Sequence, residues 1–334
     1  MPFELTADPT ATEQFLARQG WLAPRERVLA LEKAGEGNMN RTLRATTDRR
    51  SLILKQSFPW CARFPDIPAP VGRIGVEVAF YAFARREPAL AERMPAILGF
   101  AEDDHVALIE DLGVARDLVG LYSGERLAAG ELATLVELAH ALHALPLSAD
   151  DARRLRNAEM RALNHEHIFD LPLQPDNGFD LEARATGLTA VAEEARANRD
   201  YVAAVAALGR IYLDCEGPAL LHGDYYPGSF LRTDRGLMLI DPEFAFPGPP
   251  EFDLSVLVAH LVFAGGEPEA VVDEVLAHYA TPVDRTLVEG FAGAELMRRA
   301  LGVSGLAVAF PLETLRAWVV QSTRWVAGWR NANA

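Results

Sequence analysis

Leu220-Leu-His-Gly-Asp-Tyr-Tyr-Pro-Gly-Ser-Phe-Leu231, followed by Leu237-Met-Leu-Ile-Asp-Pro-Glu-Phe-Ala-Phe246, decides how this chain is read. Each segment opens as an apolar strand and ends in carboxylates. The first ends in His222-Gly223-Asp224, the second in Asp241-Pro242-Glu243. Two apolar strands joined by a short turn are expected to bring both acidic ends together. Three carboxylates at one edge need a cation or a proton to coexist. Mg²⁺ suits hard oxygen ligands and is held through one or two carboxylates plus substrate phosphates. Phosphoryl transfer uses this combination: one Asp orients the acceptor hydroxyl and takes its proton, while other acidic groups hold the metal. Asp224 is the expected base, and Asp241 and Glu243 the expected Mg²⁺ ligands. Gly223 to Ser229 also fits a Gly-x4-Gly spacing, but it lacks the Lys of a phosphate-binding P-loop and no helix follows.

Further parts of such a site lie upstream. Ala34-Gly-Glu-Gly-Asn-Met-Asn40 falls between two expected strands. Gly35, Gly37, Asn38 and Asn40 would let backbone N–H groups approach phosphates closely. Lys55 closes the apolar run Ser51-Leu-Ile-Leu-Lys55, and Glu77 follows on an expected helix. A strand Lys held by a helix Glu is how kinase-type enzymes grip the α/β-phosphates. In Leu108-Ile-Glu-Asp-Leu-Gly113, the backbone around Glu110 and Leu112 could meet an adenine edge. Downstream, Glu295-Leu-Met-Arg-Arg-Ala-Leu-Gly302 carries Arg298 and Arg299 on a helical pattern. Neighbours on a helix differ by about 100°, so the two are expected to point in different directions. They could grip acceptor hydroxyls or the transferring phosphate.

Around these motifs the chain divides in two. Thr10 to Gln19 reads as a capped helix, and Arg27–Glu32, Thr42–Thr46, Ser51–Gln56, Met94–Phe100 and His105–Glu110 as strands. Ser57 to Gly72 is a Pro- and aromatic-rich loop, and Gly75–Arg85 a helix. Beyond Gly113 helical spacing dominates, notably over Ala128–Leu145, over Leu181–Tyr212 and from Leu254 to the end. The expected architecture is α+β, with a strand-rich lobe at 1–113 and a larger, mainly helical lobe at 114–334. His140 and His143 read as satisfied histidines of a packed helix, and Trp318, Trp325 and Trp329 as core.

The 334 residues are half apolar and carry a formal charge of −15. That acidity argues against a nucleic-acid backbone or an anionic membrane as partner. Cys61 and Cys215 cannot make a disulfide framework. Met1 to Asp8 shows no signal-peptide pattern, and Leu254–Ala264 is too short to span a bilayer. The expectation is a cytoplasmic protein acting on a small molecule, with homodimerisation left open.

Together these segments resemble the aminoglycoside phosphotransferase/choline kinase superfamily, and within it most nearly the methylthioribose kinases. The likeness rests on the HGD loop ending in Gly228-Ser229 and on Asp241 to Ala245. It extends to Phe246–Asp253, Lys55-Gln56, Arg73 to Glu77 and Glu295 to Arg299. It implies a bilobal, protein-kinase-like fold and an ATP- and Mg²⁺-dependent small-molecule kinase. The implied acceptor is 5-methylthioribose or a related pentose. An antibiotic phosphotransferase, or a nucleotide-binding pseudokinase, are the alternatives. Tyr225-Tyr226-Pro227 stand where methylthioribose kinases read Leu-His-Thr, so Tyr225 and Tyr226 are candidate acceptor contacts. Many superfamily members carry a metal-binding Asn where Ser229 stands, which shifts that role towards Asp241 and Glu243.

Overall fold

The structure, a computed structural model, describes residues 3–35, 37, 39–303, 305–306 and 308–333. Asn38, expected in the glycine loop, lies outside them. Helix α1 (Pro9–Arg18) begins at Asp8, whose carboxylate accepts from the N–H groups of Thr10 and Ala11. Five antiparallel strands follow: β1 (Val28–Lys33), β2 (Arg41–Thr47), β3 (Ser51–Gln56), β4 (Ile97–Ala101) and β5 (Val106–Glu110), in the order β1-β2-β3-β5-β4. Their two-residue period builds two different faces. Leu43, Ala45, Leu52, Leu54, Val106 and Leu108 pack with Phe15 and Leu16 of α1. Each such buried side chain contributes roughly 2 kcal/mol. Ile53, Ala107 and Ile109 face the opposite way, onto Ile74 and Val78 of helix α2 (Arg73–Ala84). Lys55, two residues after Ile53, shares that second face. Residues 57–72 carry a single isolated bridge, Trp60 to Pro68.

The larger lobe is helical around a small strand unit. Helix Glu251–Phe263 is buried on nearly every side, as its largely apolar sequence requires, and its buried Asp253 and His260 are both hydrogen-bonded. It packs against helix Arg285–Leu301, which in turn lies along helix Leu312–Ala332. Trp318, Trp325 and Trp329 are core residues, as expected. His143 is buried between Tyr279 and Asp253. Among the described residues, no helix is long and apolar enough to cross a membrane.

Leu181–Tyr212 is helical, as expected, but not continuous: it forms the helices Leu181–Arg184, Leu188–Ala197 and Arg199–Asp214. The breaks fall at Gly187, in the left-handed region with φ +90°, and at Asn198, whose side chain caps the third helix. The two strands of the deciding segments do not pair with each other. After the short β6 (Arg116–Asp117) come β7 (Ala219–Leu221), β8 (Phe230–Thr233), β9 (Gly236–Leu239) and β10 (Phe246–Gly248). β9 pairs with β8 through a two-residue turn, while β7 pairs with β10. So tight a hairpin closes at little entropic cost, and it wins over the longer connection. The acidic ends still meet, because His222 Nε2 donates to the Ile240 carbonyl at 2.9 Å.

Candidate active site

The cleft between the sheet and the helical lobe is lined by Asp224, Tyr226, Ser229, Asp241, Glu243, Arg298 and Arg299, among others. Its lysine arrives by strand parity. Lys55 Nζ lies 2.7 Å from Glu77 Oε2, and Glu77 sits on the buried face of α2. The same ammonium donates to Asp241 Oδ1, also at 2.7 Å. Burial alone would pull the lysine's pKa down, but Asp241, Glu77 and Glu243 outweigh it and hold the ammonium charged. Burial pushes Glu77 up to about 7, only partly offset by Lys55.

Backbone geometry sets the two acidic loops. Gly223 has φ +81°, and a Cβ there would lie 2.1 Å from the Phe244 carbonyl oxygen. Asp253, fully buried on helix Glu251–Phe263, accepts from the N–H groups of His222 and Gly223 at 2.7 and 2.9 Å. Asp224 and Tyr226 line the cleft while Tyr225 does not; the Tyr226 N–H donates back to the Asp224 carbonyl at 3.0 Å, a tight turn centred on Tyr225. Tyr225 was expected to touch the acceptor. Instead it is fully buried, and its hydroxyl donates to the Leu135 carbonyl at 2.6 Å. Asp241 adopts φ +62°, a conformation uncommon outside glycine, Asn and Asp. Asn157 braces this loop by donating to the carbonyls of Glu243 and Ala245. Burial raises the pKa of Asp224, with Arg299 and Arg298 pulling it back.

Asn40 is committed to the large lobe. Its Nδ2 donates to Glu243 Oε2 at 2.7 Å, and its Oδ1 accepts from Arg73 Nε at 2.9 Å. Arg73 is 1% exposed and also donates to the carbonyls of Met39, Phe58, Trp60 and Pro70. It pins the 57–72 loop, and its Nε stands 3.3 Å from Glu243. Gly35 has φ +78°, and Gly37 lines the cleft with open space at its Cβ position. The Glu110 carboxylate turns aside to the Ala96 N–H and to Arg235, the Glu110 N–H donates to the Ala96 carbonyl, and Leu112 lies just beyond the end of β5.

Arg298 and Arg299 do not diverge. Both reach back one turn to Glu295, at i+3 and i+4, with bonds of 2.6 to 2.8 Å. Arg299 Nη2 stands 3.9 Å from Asp224 Oδ1. The helix end behind them is closed by Arg184, which donates to the carbonyls of Arg299, Ala300 and Gly302. Ser229 Oγ donates to the Asp224 carbonyl, holding the loop rather than offering a free ligand. Asn157 and Arg184 carried no local signal in the sequence, and Asp253 appeared there only as the end of the Phe246–Asp253 likeness, with no role. Asn164 and His167 also line the cleft and were not singled out.

A small antiparallel sheet with a Glu-held lysine, above a helical lobe that presents Asp224 and Asp241, defines a protein-kinase-like phosphotransferase. The chain belongs to the phosphotransferase enzyme family, whose model matches residues 30–291. It is 27% identical over 325 residues to a methylthioribose kinase of Exiguobacterium sibiricum, covering 82% of this chain and 79% of the relative. A methylthioribose kinase of Bacillus velezensis is 26% identical over 321 residues, with 84% and 80% covered. Among solved structures, a spectinomycin phosphotransferase with ADP and spectinomycin superposes with TM-score 0.58 at 11% identity, covering 98% of this chain and 99% of that one. A choline kinase from Streptococcus pneumoniae gives 0.54 at 14% identity, with 96% and 98% covered. Family membership and these relatives make the chain a small-molecule kinase.

Proposed function

We propose that this protein transfers the γ-phosphoryl group of ATP to a hydroxyl of a small sugar-like acceptor, 5-methylthioribose or a related pentose. The observation that carries the reading is the Lys55–Glu77 pair, bonded to Asp241 at a cleft that Asp224, Asp241 and Glu243 line. Lys55, oriented by Glu77, binds the α/β-phosphates. Backbone at Gly35 and Gly37 approaches the phosphates, and backbone at Glu110 and Leu112 meets the adenine. Asp224 orients the acceptor hydroxyl and takes its proton as the bond to phosphorus forms. Arg299, beside Asp224, stabilises the charge on the transferred group.

The donor set fits Mg²⁺. Glu77, Asp241 and Glu243 are three carboxylates gathered on two cations, Lys55 and Arg73. Asp241 is also the most open of the three, with 45% of its side chain exposed. Asp241 and Glu243 would hold the ion, and its charge would neutralise the phosphates.

On the acceptor side, Arg298 and Arg299 are both paired with Glu295, and Arg299 also stands beside Asp224. Met39, Phe64, Ile67, Leu163 and Val303 line the same cleft and suit an apolar substituent such as a methylthio group. Tyr226 is the remaining acceptor contact.

The test is ADP release from ATP and Mg²⁺ with methylthioribose, other pentoses, choline, aminoglycosides and nucleoside antibiotics. Turnover confined to methylthioribose is the expected result, and turnover of an aminoglycoside alone overturns the acceptor assignment. Asp224→Asn is expected to cut turnover about 10³-fold or more while leaving nucleotide affinity within about threefold. Unchanged turnover in that variant would sink the role given to Asp224.

A further inference from the structure

Three buried polar groups lie behind the twin arginines, and the transfer scheme above uses none of them. Glu295 is 2% exposed, yet it accepts four hydrogen bonds. Two come from Arg298, one from Arg299 Nε and one from His260 Nε2 at 3.1 Å. His260, on helix Glu251–Phe263, has no exposed surface. Its Nδ1 is hydrogen-bonded to the hydroxyl of Tyr122, in the short turn Val119–Ser123. We propose that Tyr122, His260 and Glu295 form a buried relay that positions the Arg298–Arg299 pair against Asp224. All three are positioning residues, and the proposal rests on the role given to the arginines above.

The proton order follows from the partners. A carboxylate flanked by two guanidinium groups is an acceptor only, so His260 Nε2 carries the proton. In a neutral imidazole Nδ1 is then the acceptor, and the Tyr122 O–H fills it. A charged imidazolium is excluded by burial and by the nearby Arg299 and Arg298, which push His260 down to about 4, against the pull of Glu295. The relay ends at the reacting group. Arg299 Nη2 is 3.9 Å from Asp224, its guanidinium lies 5.5 Å from the Tyr226 ring centroid, and that ring lies 5.3 Å from His260. An Arg side chain has many rotamers. Fixing its Nε to a carboxylate that is itself fixed removes that freedom before the acceptor arrives.

His260→Gln and His260→Leu separate positioning from packing. A Gln amide can donate to Glu295 and accept from Tyr122, whereas Leu fills space and does neither. The full chain is assayed with whichever acceptor the wild type phosphorylates, and the Arg299 Nε–H resonance is followed by NMR. His260→Leu is expected to lower kcat about 10- to 100-fold with KM for ATP within about twofold, and His260→Gln to recover most of it. The Arg299 Nε–H signal is expected to exchange slowly in wild type and Gln variant and to be lost in the Leu variant. Wild-type kcat in a folded Leu variant, or equal impairment of both variants, overturns the proposal. If the wild type turns over no acceptor, the proposed function fails, and the NMR signal alone decides. A signal kept in all three proteins overturns the relay. Should His260→Leu not fold, Tyr122→Phe removes one hydroxyl only. It is expected to speed Nε–H exchange at Arg299, and unchanged exchange overturns the relay.

Discussion

Gly223 shows how much can hang on one missing methyl group. Its φ of +81° is strained for any side chain, and a Cβ would enter the Phe244 carbonyl oxygen. Gly223→Ala must therefore push the Asp224 loop away from the Asp241 loop. A displacement of about 1 Å at a reacting group costs on the order of 100-fold in rate, and that is the expected fall in kcat, with a lowered Tm. Steady-state kinetics and a melting curve check both, and a fully active Ala variant would contradict the geometry. The same residue was visible in the sequence, as were Lys55, Asp224, Asp241 and Glu243, because each ends an apolar run. The roles of Asp253, Asn157 and Arg184 were not. Their partners lie 31, 86 and up to 118 positions away, and no local period marks such contacts. Tyr225 misled for a related reason: its neighbours line the cleft, but the tight turn centred on it sends its own side chain into the core.

At the scale of elements, helix Arg285–Leu301 carries the arginines, and its end needs closing. The last four carbonyls of a helix lack internal partners. Arg184 supplies three of them from the far side of the lobe. Arg184→Ala leaves them unpaired in a partly buried setting and is expected to cost about 2 kcal/mol. Denaturant unfolding measures that loss, and a variant within about 0.5 kcal/mol of wild type would mean that water replaces the guanidinium. The five strands of the small sheet were legible within a few residues, since alternation and turn residues are local. The three-way break of Leu181–Tyr212 was not, because the Ala-rich spacing stays helical across it. The pairing of β7 with β10 was equally hidden, since the paired residues lie 25 to 29 positions apart and no local period marks them.

At the scale of the molecule, acid stability is set by carboxylates held well below their ordinary range. Glu26 is the clearest: its hydrogen bond with Arg50, aided by the Ala23 N–H and Thr47, lowers it to about 2 against burial. A depressed carboxylate stabilises the fold above its ordinary pKa of 4.5, and that contribution drains away as pH falls towards 2. The Tm gap between wild type and Glu26→Gln is therefore expected to be constant above pH 5 and to close on acidification. A gap that widens in acid would reverse the sign. The bilobal plan itself was legible, because strand-rich and helix-rich halves differ in pattern. The ties between the lobes were not, since Asn40 and Glu243 stand 203 positions apart. One of those ties has a thermodynamic side. Lys55 is already engaged by Asp241. A phosphate that claims the ammonium sets the carboxylate loose, and a cation that claims the carboxylate sets the ammonium loose. Each guest thus dismantles the bond that hinders the other, and linkage requires both affinities to rise by the same factor. With ATP and Mg²⁺ bound as proposed, nucleotide and divalent ion would be heterotropic partners, admitted together more readily than either alone.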